Sequence, residues 1–292
     1  MSMQTGSTAV AVVGSANLDI VVALQAFPAP GETVMGDNLD EFAGGKGLNQ
    51  AMAAAGEVRS AFVGCVGGDE PASLLEEALR GAGVDVSQLT RSPQPTGRAY
   101  IEVTPDGENR IVVLPLANGL LAAAAVTTAL EALDPVVVLT QLEVPTASVE
   151  AAANWAEDNG ARFVLNPSPV RDLRLELLAR CDPLIVNRGE AVAILGSSTP
   201  DEETRSLADR LAPHVRSVVV TDGPAGAHVG TSASGINHVP GERVTPVDTT
   251  GAGDVFAGTL VARLSRGTSL VSAAAAANTA AARIVQVPRS QR

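Results

Sequence analysis

The segment of the chain with the most chemical content is a run of small residues that ends in an acid. Residues 247–258 read VDTTGAGDVFAG and lead from a loop into an alanine-rich segment. Glycines let successive N–H groups point into one concavity, and a helix N-terminus adds about half a positive charge. We therefore predict an anion site at Gly251, Ala252 and Gly253, with Asp254 placed to take the proton of a hydroxyl that attacks a phosphoryl group. A loop with an ordinary helix cap fits the same residues.

Two further segments carry groups suited to a polyhydroxyl ligand. Residues 44–50, GGKGLNQ, lack the GxxxxGK[ST] spacing of a P-loop, but Gly45 permits close backbone approach, and Lys46 and Asn49 supply donors and acceptors. Asn17 and Asp19 follow the first predicted strand, and ligands of doubly wound sheets bind beyond the carboxyl ends of strands. A structural turn before a helix and an Asx turn are the alternative interpretations of these segments.

The elements that must position these residues follow an alternating pattern. Short β-branched runs alternate with longer segments rich in Ala, Leu and Glu, and continuous apolar strands are typical of a parallel sheet buried on both faces. The pattern predicts strands at 9–13, 61–65, 136–140, 162–166, 184–187 and 217–221, and helices at 47–55, 71–81, 147–159 and 199–212. We expect an α/β fold with a doubly wound, mainly parallel central sheet flanked by helices.

Two regions interrupt this alternation and predict a small second sheet. Residues 33–42 have extended character, and 97–104 and 109–114 flank the turn Pro105-Asp106-Gly107. A hairpin between βα units does not easily join the parallel sheet, so we predict an antiparallel β lid, inserted at about 16–45 and 96–117 of a single domain over 1–292, that covers one end of the cleft. Because a small sheet exposes an edge and an apolar face, a homodimer through the lid is expected.

Composition restricts the classes of partner. The 292 residues include 20 Lys and Arg against 32 Asp and Glu, a formal net charge of -12, which disfavours nucleic acid as a partner. Local amides and a metal ion can still bind an anion such as a nucleotide. Cys65 and Cys181 lack CxxC spacing, and neither a signal peptide nor a membrane span is evident. We expect a soluble, cytoplasmic protein.

Eight motifs, taken together, resemble the ribokinase family of PfkB carbohydrate kinases over nearly the whole chain. In order they are GSANLD (14–19), FPAPGETVMG (27–36), GGKGLNQA (44–51), PTGRAYIEV (95–103), DGENRIVV (106–113), NRGEA (187–191), TDGPAGAH (221–228) and DTTGAGDVFAG (248–258). The resemblance implies a ribokinase-like fold and ATP-dependent phosphorylation of a sugar hydroxyl, D-ribose to D-ribose 5-phosphate in the first instance. A kinase for deoxyribose, another pentose or a nucleoside, and a non-catalytic sugar-binding regulator, remain alternatives.

The same resemblance implies roles for individual positions. Asp254 would be the general base, with the anion hole formed by the backbone of Gly251, Ala252 and Gly253. The sugar would be held by Asn17, Asp19, Gly45, Lys46, Asn49 and Glu143, and the nucleotide by Asn187, Thr221, Gly223, Gly226, Gly253 and Asn278. Glu190 would organise Mg²⁺ through water. Taken without the resemblance, Glu143 is equally a solvated loop acid, and Glu190 an ordinary acid in the first turn of a helix.

The C-terminal tail departs from the family pattern. The resemblance implies a monovalent cation site, usually for K⁺, at Asp248 and Thr250, to which Ile284 and Val287 can add carbonyl oxygens. Arg289 stands where a Gly is expected and brings a positive charge close to that cation. We therefore expect weak activation by K⁺. Leu116 also stands where the family often has Gly, which predicts a local change in the lid.

Overall fold

A nine-stranded sheet forms the centre of the computed structural model, which describes residues 8–197 and 202–292. The strands are β1 (Val10–Val13), β2 (Asn17–Ala23), β3 (Asn38–Gly44), β4 (Ser60–Val66), β5 (Leu89–Arg91), β6 (Gly97–Val103), β7 (Asn109–Leu114), β8 (Val137–Gln141), β9 (Arg162–Asn166), β10 (Leu184–Asn187), β11 (Val218–Thr221), β12 (Gly226–Thr231) and β13 (Gly235–Pro240). The central sheet has the order β13-β12-β11-β10-β9-β8-β1-β4-β5. Its strands run parallel from β11 to β5, and β12 and β13 form an antiparallel end.

Helices cover both faces of this sheet. They are α1 (Lys46–Ala55), α2 (Glu70–Gly81), α3 (Ala123–Leu133), α4 (Thr146–Asp158), α5 (Leu175–Leu178), α6 (Arg188–Leu195), α7 (Thr204–Leu211), α8 (Ala252–Ser265) and α9 (Leu270–Ile284). Because successive residues of a strand point to opposite faces, Val10 and Val12 pack in the core of α1, α2, α8 and α9, while Ala11 and Val13 pack in the core of α3 to α7. The predicted doubly wound α/β fold is confirmed.

The predicted main-sheet elements agree with the structure to within a residue or so at each end, with one exception. The helix predicted at 199–212 begins in residues that lie outside the described part of the chain, 199–201, and its described portion is α7. Strands β5, β12 and β13 were not among the predictions. None of the helices in the described ranges is long and apolar enough to cross a bilayer.

The lid is a second sheet of four strands in the order β3-β2-β6-β7. The hairpin β6–β7 and the pair β2–β3 are antiparallel, but β2 and β6 run parallel, with Asn17 and Gly97 paired at the start of the two strands. The extended segment predicted at 33–42 becomes a strand only from Asn38. After β7 the backbone turns at Leu116 with φ 45°, a left-handed conformation that explains why glycine suits this position.

Candidate active site

Asp254 lies in the first turn of α8 and is held by two side chains of α1. Its side chain is buried, with the residue 8% exposed. Asn49 Nδ2 donates to Oδ2 at 3.2 Å, and Gln50 Nε2 donates to Oδ1 at 2.9 Å. Gln50 is itself fixed, because its Oε1 accepts a 2.6 Å hydrogen bond from Gln141 Nε2 at the end of β8. The carboxylate therefore has a defined orientation before any ligand binds.

The electrostatic balance at Asp254 favours proton uptake near neutral pH. Burial raises the pKa of this carboxyl to about 6, although the charge of Lys46 and the hydrogen bonds from Gln50 and Asn49 lower it; the nearby charge of Glu143 adds to the rise. A carboxylate with such a pKa is a better proton acceptor than an exposed aspartate and is still ionised at pH 7.

The backbone in front of Asp254 offers amide donors. Gly251 caps α8 with φ 76°, a conformation that L side chains rarely adopt. Within the part of the chain that the structure describes, the N–H groups of Gly251, Gly253 and Asp254 have no acceptor. The Ala252 N–H donates to the Thr249 carbonyl at 3.2 Å, so this predicted member of the anion hole is engaged within the loop. A Cβ built on Gly251 or Gly253 would meet no atom within 4 Å, which leaves room for a phosphoryl group there.

Glu143 lies in the loop after β8 and is bound to the glycine-rich turn. Ser15 Oγ donates to Glu143 Oε2 at 2.5 Å, and the Lys46 N–H donates to the same oxygen at 3.2 Å. Gly45, with φ 91°, lets this turn pass so close to the chain that a Cβ would lie 2.9 Å from the Ala16 Cα. The interpretation of Glu143 as a solvated loop acid is therefore wrong in this structure, since its carboxylate joins two segments that were predicted separately.

Asn17 and Asp19 lie on lid strand β2, two residues apart and on one face, rather than in a loop after β1. The Asx-turn interpretation is thus wrong. Asn17 Oδ1 accepts a 2.7 Å hydrogen bond from Asn118 Nδ2. Asp19 forms a 2.5 Å ion pair with Arg289. Burial raises the pKa of Asp19, although the Arg289 guanidinium opposes this rise.

A cavity of about 150 Å³ connects Asp254 with the polar residues that end the central strands. Lys46, Asn166, Asn187, Glu190, Gly251 and Gly253 share its lining with Asp254. Asn187 and Glu190 form a capping box at the start of α6: Asn187 Oδ1 accepts from the Glu190 N–H at 2.8 Å, and Glu190 Oε2 accepts from the Asn187 N–H at 2.9 Å. As metal ligands, the amide oxygen of Asn187 and the carboxylate of Glu190 suit Mg²⁺, which keeps several waters and takes few carboxylates directly.

A second cavity of about 340 Å³ lies between β11, β12 and helices α8 and α9. It brings together five of the residues predicted for a nucleotide: Thr221, Gly223, Gly226, Gly253 and Asn278. Asn278 Nδ2 donates to the Val239 and Pro240 carbonyls at 3.2 and 3.1 Å, which fixes its side chain. Apolar residues such as Val244 and Val285 complete the lining, a surface suited to a flat base. Thr221, Gly253 and Phe256 belong to both cavities.

The residues predicted to bind a monovalent cation lie together, but an arginine side chain already donates hydrogen bonds to their carbonyl oxygens. The carbonyls of Asp248, Thr250 and Val287 each accept a hydrogen bond from the Arg292 guanidinium. The Ile284 carbonyl accepts from the Val287 N–H at 3.1 Å. Arg289 points elsewhere, since its guanidinium contacts Asp19 and only its backbone N–H reaches Asp248, at 3.2 Å. The positive charge that was predicted for Arg289 at this site is therefore supplied by Arg292.

Several residues of the site were not predicted, namely Ser15, Gln50, Asn118, Gln141 and Arg292, and the contact of Arg289 with Asp19 was not predicted either. Four of them are fully buried polar side chains: Ser15, Gln50, Asn118 and Gln141. Gln50 carries a signal that sequence alone contains, because it stands on the apolar face of α1 beside Ala51 and Ala54. A buried amide at such a position needs partners, and its partners here are Asp254, Gln141 and Asn166.

This fold is that of the carbohydrate kinases with a ribokinase-like fold. The ribokinase of Haemophilus influenzae is 36% identical over 258 residues, covering 87% of this chain and 84% of that protein. Among solved structures, a ribokinase of Thermotoga maritima has a TM-score of 0.87 at 32% identity, over 96% of this chain and 93% of the other. A ribokinase of Arabidopsis thaliana complexed with ribose and ATP has a TM-score of 0.85 at 28% identity, over 97% and 94%. The family model for pfkB family carbohydrate kinases matches residues 7–292, and the chain belongs to that family.

Proposed function

We propose that this kinase transfers the γ-phosphoryl group of ATP to a sugar hydroxyl, converting D-ribose to D-ribose 5-phosphate. The observation that carries the proposal is the oriented, buried carboxylate of Asp254 beside free amides of Gly251 and Gly253. The choice of ribose is supported by the ribokinase relatives, one of which binds ribose and ATP together. Because the reaction consumes ATP, we place the protein in the cytoplasm, where its two unpaired cysteines suit a reducing environment.

The sugar is held between the lid and the start of α1. Asn17 and Asp19 offer hydrogen-bonding groups from β2, and Glu143 and Lys46 offer theirs from the turn that Ser15 ties together. Gly45 permits close approach, and Asn49 lies beside the base, because it already donates to Asp254. Sugar hydroxyls both donate and accept, so a mixed set of carboxylates, amides and an ammonium group suits them.

The nucleotide occupies the larger cavity, with its phosphates directed toward the amides of α8. The base and ribose of ATP contact Thr221, Gly223, Gly226 and Asn278. The phosphates lie toward Gly253 and Asn187. Glu190, with Asn187, would hold Mg²⁺ through water, and the ion would neutralise charge on the β- and γ-phosphates.

The chemical step follows from this placement. The sugar hydroxyl loses its proton to Asp254 while its oxygen forms a bond to the γ-phosphorus, and the bond from that phosphorus to the bridging oxygen of ADP breaks. The N–H groups of Gly251, Gly253 and Asp254 stabilise the equatorial oxygens of the transferring group. The ionised form of Asp254 is required at the start, and its pKa near 6 permits this at pH 7.

An ATP-consumption assay over a panel of acceptors tests the proposal. We expect D-ribose to give the highest kcat/KM among ribose, 2-deoxyribose, other pentoses and adenosine. Asp254→Asn, which preserves size, should lower kcat by roughly 10²- to 10⁴-fold with little change in ATP affinity. A better acceptor than ribose would reassign the substrate. Sugar binding by calorimetry without ATP consumption would instead indicate a non-catalytic regulator.

We further propose that the chain acts as one unit that dimerises through its lid. Strand β2 follows β1 after three residues, and β3 leads directly into α1, so the lid is continuous with the main sheet. All six residues of the edge strand β7 are exposed, including Ile111 and Val112. An exposed apolar edge strand is the kind of surface that association with a second copy would cover.

A further inference from the structure

The side chain of Arg292 is enclosed by the loop that leads to the anion-binding amides. Only 14% of the side chain is exposed. Its Nη2 donates to the Asp248 carbonyl at 2.5 Å, its Nη1 donates to the Thr250 carbonyl, and its Nε donates to the Val287 carbonyl at 2.9 Å. The Asp248 carboxylate lies 3.8 Å from Nη2. One cation thus satisfies three carbonyls and faces one carboxylate.

A monovalent cation does not fit among these oxygens while the guanidinium is present. A metal ion needs several oxygen ligands, and the three carbonyls that would supply them already accept hydrogen bonds. The fourth residue predicted as a ligand, Ile284, has its carbonyl bonded to the Val287 N–H. An added cation would also lie beside a fixed positive charge at a distance where repulsion is strong.

We propose that the Arg292 guanidinium replaces the monovalent cation of this site, so that the enzyme carries its own permanent cation and turns over without K⁺. This inference rests on the proposed kinase reaction for its effect on rate, but the occupancy of the site does not depend on that reaction. Arg292 is in this sense a positioning residue, because it touches the loop and not the reacting atoms.

The effect on catalysis follows from the geometry of the peptide unit. In a trans peptide the carbonyl and the following N–H point in opposite directions. The guanidinium draws the Thr250 carbonyl toward itself, so the Gly251 N–H of the same peptide is directed away from Arg292, and a cation on the carbonyl side polarises that N–H into a stronger donor. The Thr250 N–H is meanwhile fixed by the Asp248 carboxylate at 2.9 Å.

The test compares matched ionic strength with and without K⁺. Turnover and thermal unfolding are measured in about 100 mM KCl and in about 100 mM choline chloride, a range in which Debye screening is the same for both salts, with ATP as its Tris salt. For the unsubstituted protein we expect less than a twofold difference in kcat and no shift in Tm. For Arg292→Ala we expect kcat to fall by about 10-fold or more in choline. K⁺ should restore most of this loss and raise the Tm by about 2 °C in the absence of substrates.

Two further variants distinguish a role of Arg292 as a substitute for K⁺ from a purely structural role of its hydrogen bonds. Arg292→Lys keeps the charge with fewer donors and should show a smaller response to K⁺ than Arg292→Ala. Arg266→Ala is the matched control, because Arg266 also donates to a carbonyl and faces a carboxylate, both of Glu57, far from the loop. It should acquire no K⁺ response.

Either of two results would overturn the proposal. One is activation of the unsubstituted protein by K⁺ of more than about fivefold, which would require an open cation site. The other is an Arg292→Ala variant whose kcat and Tm are the same in both salts, which would leave Arg292 with a structural role only. If no acceptor supports turnover, the kinase proposal fails, and the unfolding measurement still decides whether the variant binds K⁺.

Discussion

At the scale of single residues, the properties of Asp254 depend on a balance between burial and donors. Removal from water disfavours its charge, whereas Asn49, Gln50 and Lys46 favour it, and burial is the larger effect. The outcome is a base whose pKa lies close to neutrality. The donors also hold the carboxylate in one orientation, since each of its oxygens accepts a hydrogen bond.

A pH profile tests the role of this balance. We expect kcat/KM for the sugar to rise with pH along an acidic limb with a midpoint near 6, because only the ionised carboxylate of Asp254 accepts a proton. Gln50→Leu removes a hydrogen bond that favours the charged form and should move the limb to higher pH. A limb that stays in place in this variant would indicate that another group titrates.

The same pKa predicts an effect of Asp254 on stability. The folded state holds this proton more tightly than the unfolded chain, so the free energy of unfolding falls as pH rises from about 4 to about 6 and is constant above. A rise from 3.8 to about 6 corresponds to a loss on the order of 3 kcal/mol. Asp254→Asn should therefore unfold at higher denaturant concentration than the unsubstituted protein at pH 8, with the difference shrinking toward pH 4. An equal difference at both pH values would contradict the assigned pKa.

At the scale of elements, the tail after α9 joins the lid to the anion-binding loop. The Arg289 guanidinium pairs with Asp19 of β2 and lies 4.8 Å from the ring centroid of Phe42 of β3. Its backbone N–H bonds to Asp248. One residue thus links the lid to the loop before α8.

Removal of the Arg289 side chain should affect the sugar and not the nucleotide. Arg289→Ala leaves the buried Asp19 carboxylate without its counter-ion, so we expect KM for the sugar to rise by about 10-fold and stability to fall by about 1–3 kcal/mol. KM for ATP should change by less than about twofold, since the nucleotide cavity is untouched. Arg80→Ala, which removes an exposed ion pair with Glu76, is the control and should cost less than about 0.5 kcal/mol. An unchanged sugar KM would remove Asp19 from the sugar site.

The extent to which the elements could be predicted depended on their environment. Strands of the central sheet such as β9 and β10 are continuous apolar runs because both faces are buried, and they were predicted with their observed bounds. Strand β2 lies within the predicted lid insertion at about 16–45, but its bounds were not predicted, since Asn17 and Asp19 at its start are residues typical of turns. Its strand character comes from pairing with β3 and β6, which are distant in sequence.

The site shows the same division between local and long-range information. Asp254 and the glycines before it could be predicted, because the chemistry of a loop entering a helix is local. The contacts of Arg292 could not, because they join the tail to residues about 40 positions earlier in the chain. The engagement of the Ala252 N–H also depends on a local turn geometry that residue types do not specify.

At the scale of the whole molecule, the lid determines the expected state of association. Ile111 and Val112 are 54% and 60% exposed, and they point to opposite faces of the edge strand β7. We expect the protein to elute as a dimer in size-exclusion chromatography with light scattering, and the double variant Ile111→Lys/Val112→Lys to be a monomer.

The control for this prediction is an apolar residue elsewhere on the surface. Leu175 of α5 is 65% exposed, and Leu175→Lys should leave the dimer intact. A monomer for the unsubstituted protein, or a dimer for the double variant, would exclude association through β7.

The common wall of the two cavities has a kinetic consequence. Thr221, Gly253 and Phe256 line both the nucleotide cavity and the cavity that contains Asp254, so ATP and the base that activates the acceptor lie next to each other and neither substrate must leave before the other arrives. The reaction therefore does not require a double-displacement mechanism, in which a phosphorylated enzyme forms between two half-reactions. Initial velocities plotted in double-reciprocal form at several fixed concentrations of the second substrate should give intersecting lines, the signature of a ternary complex, and not parallel ones.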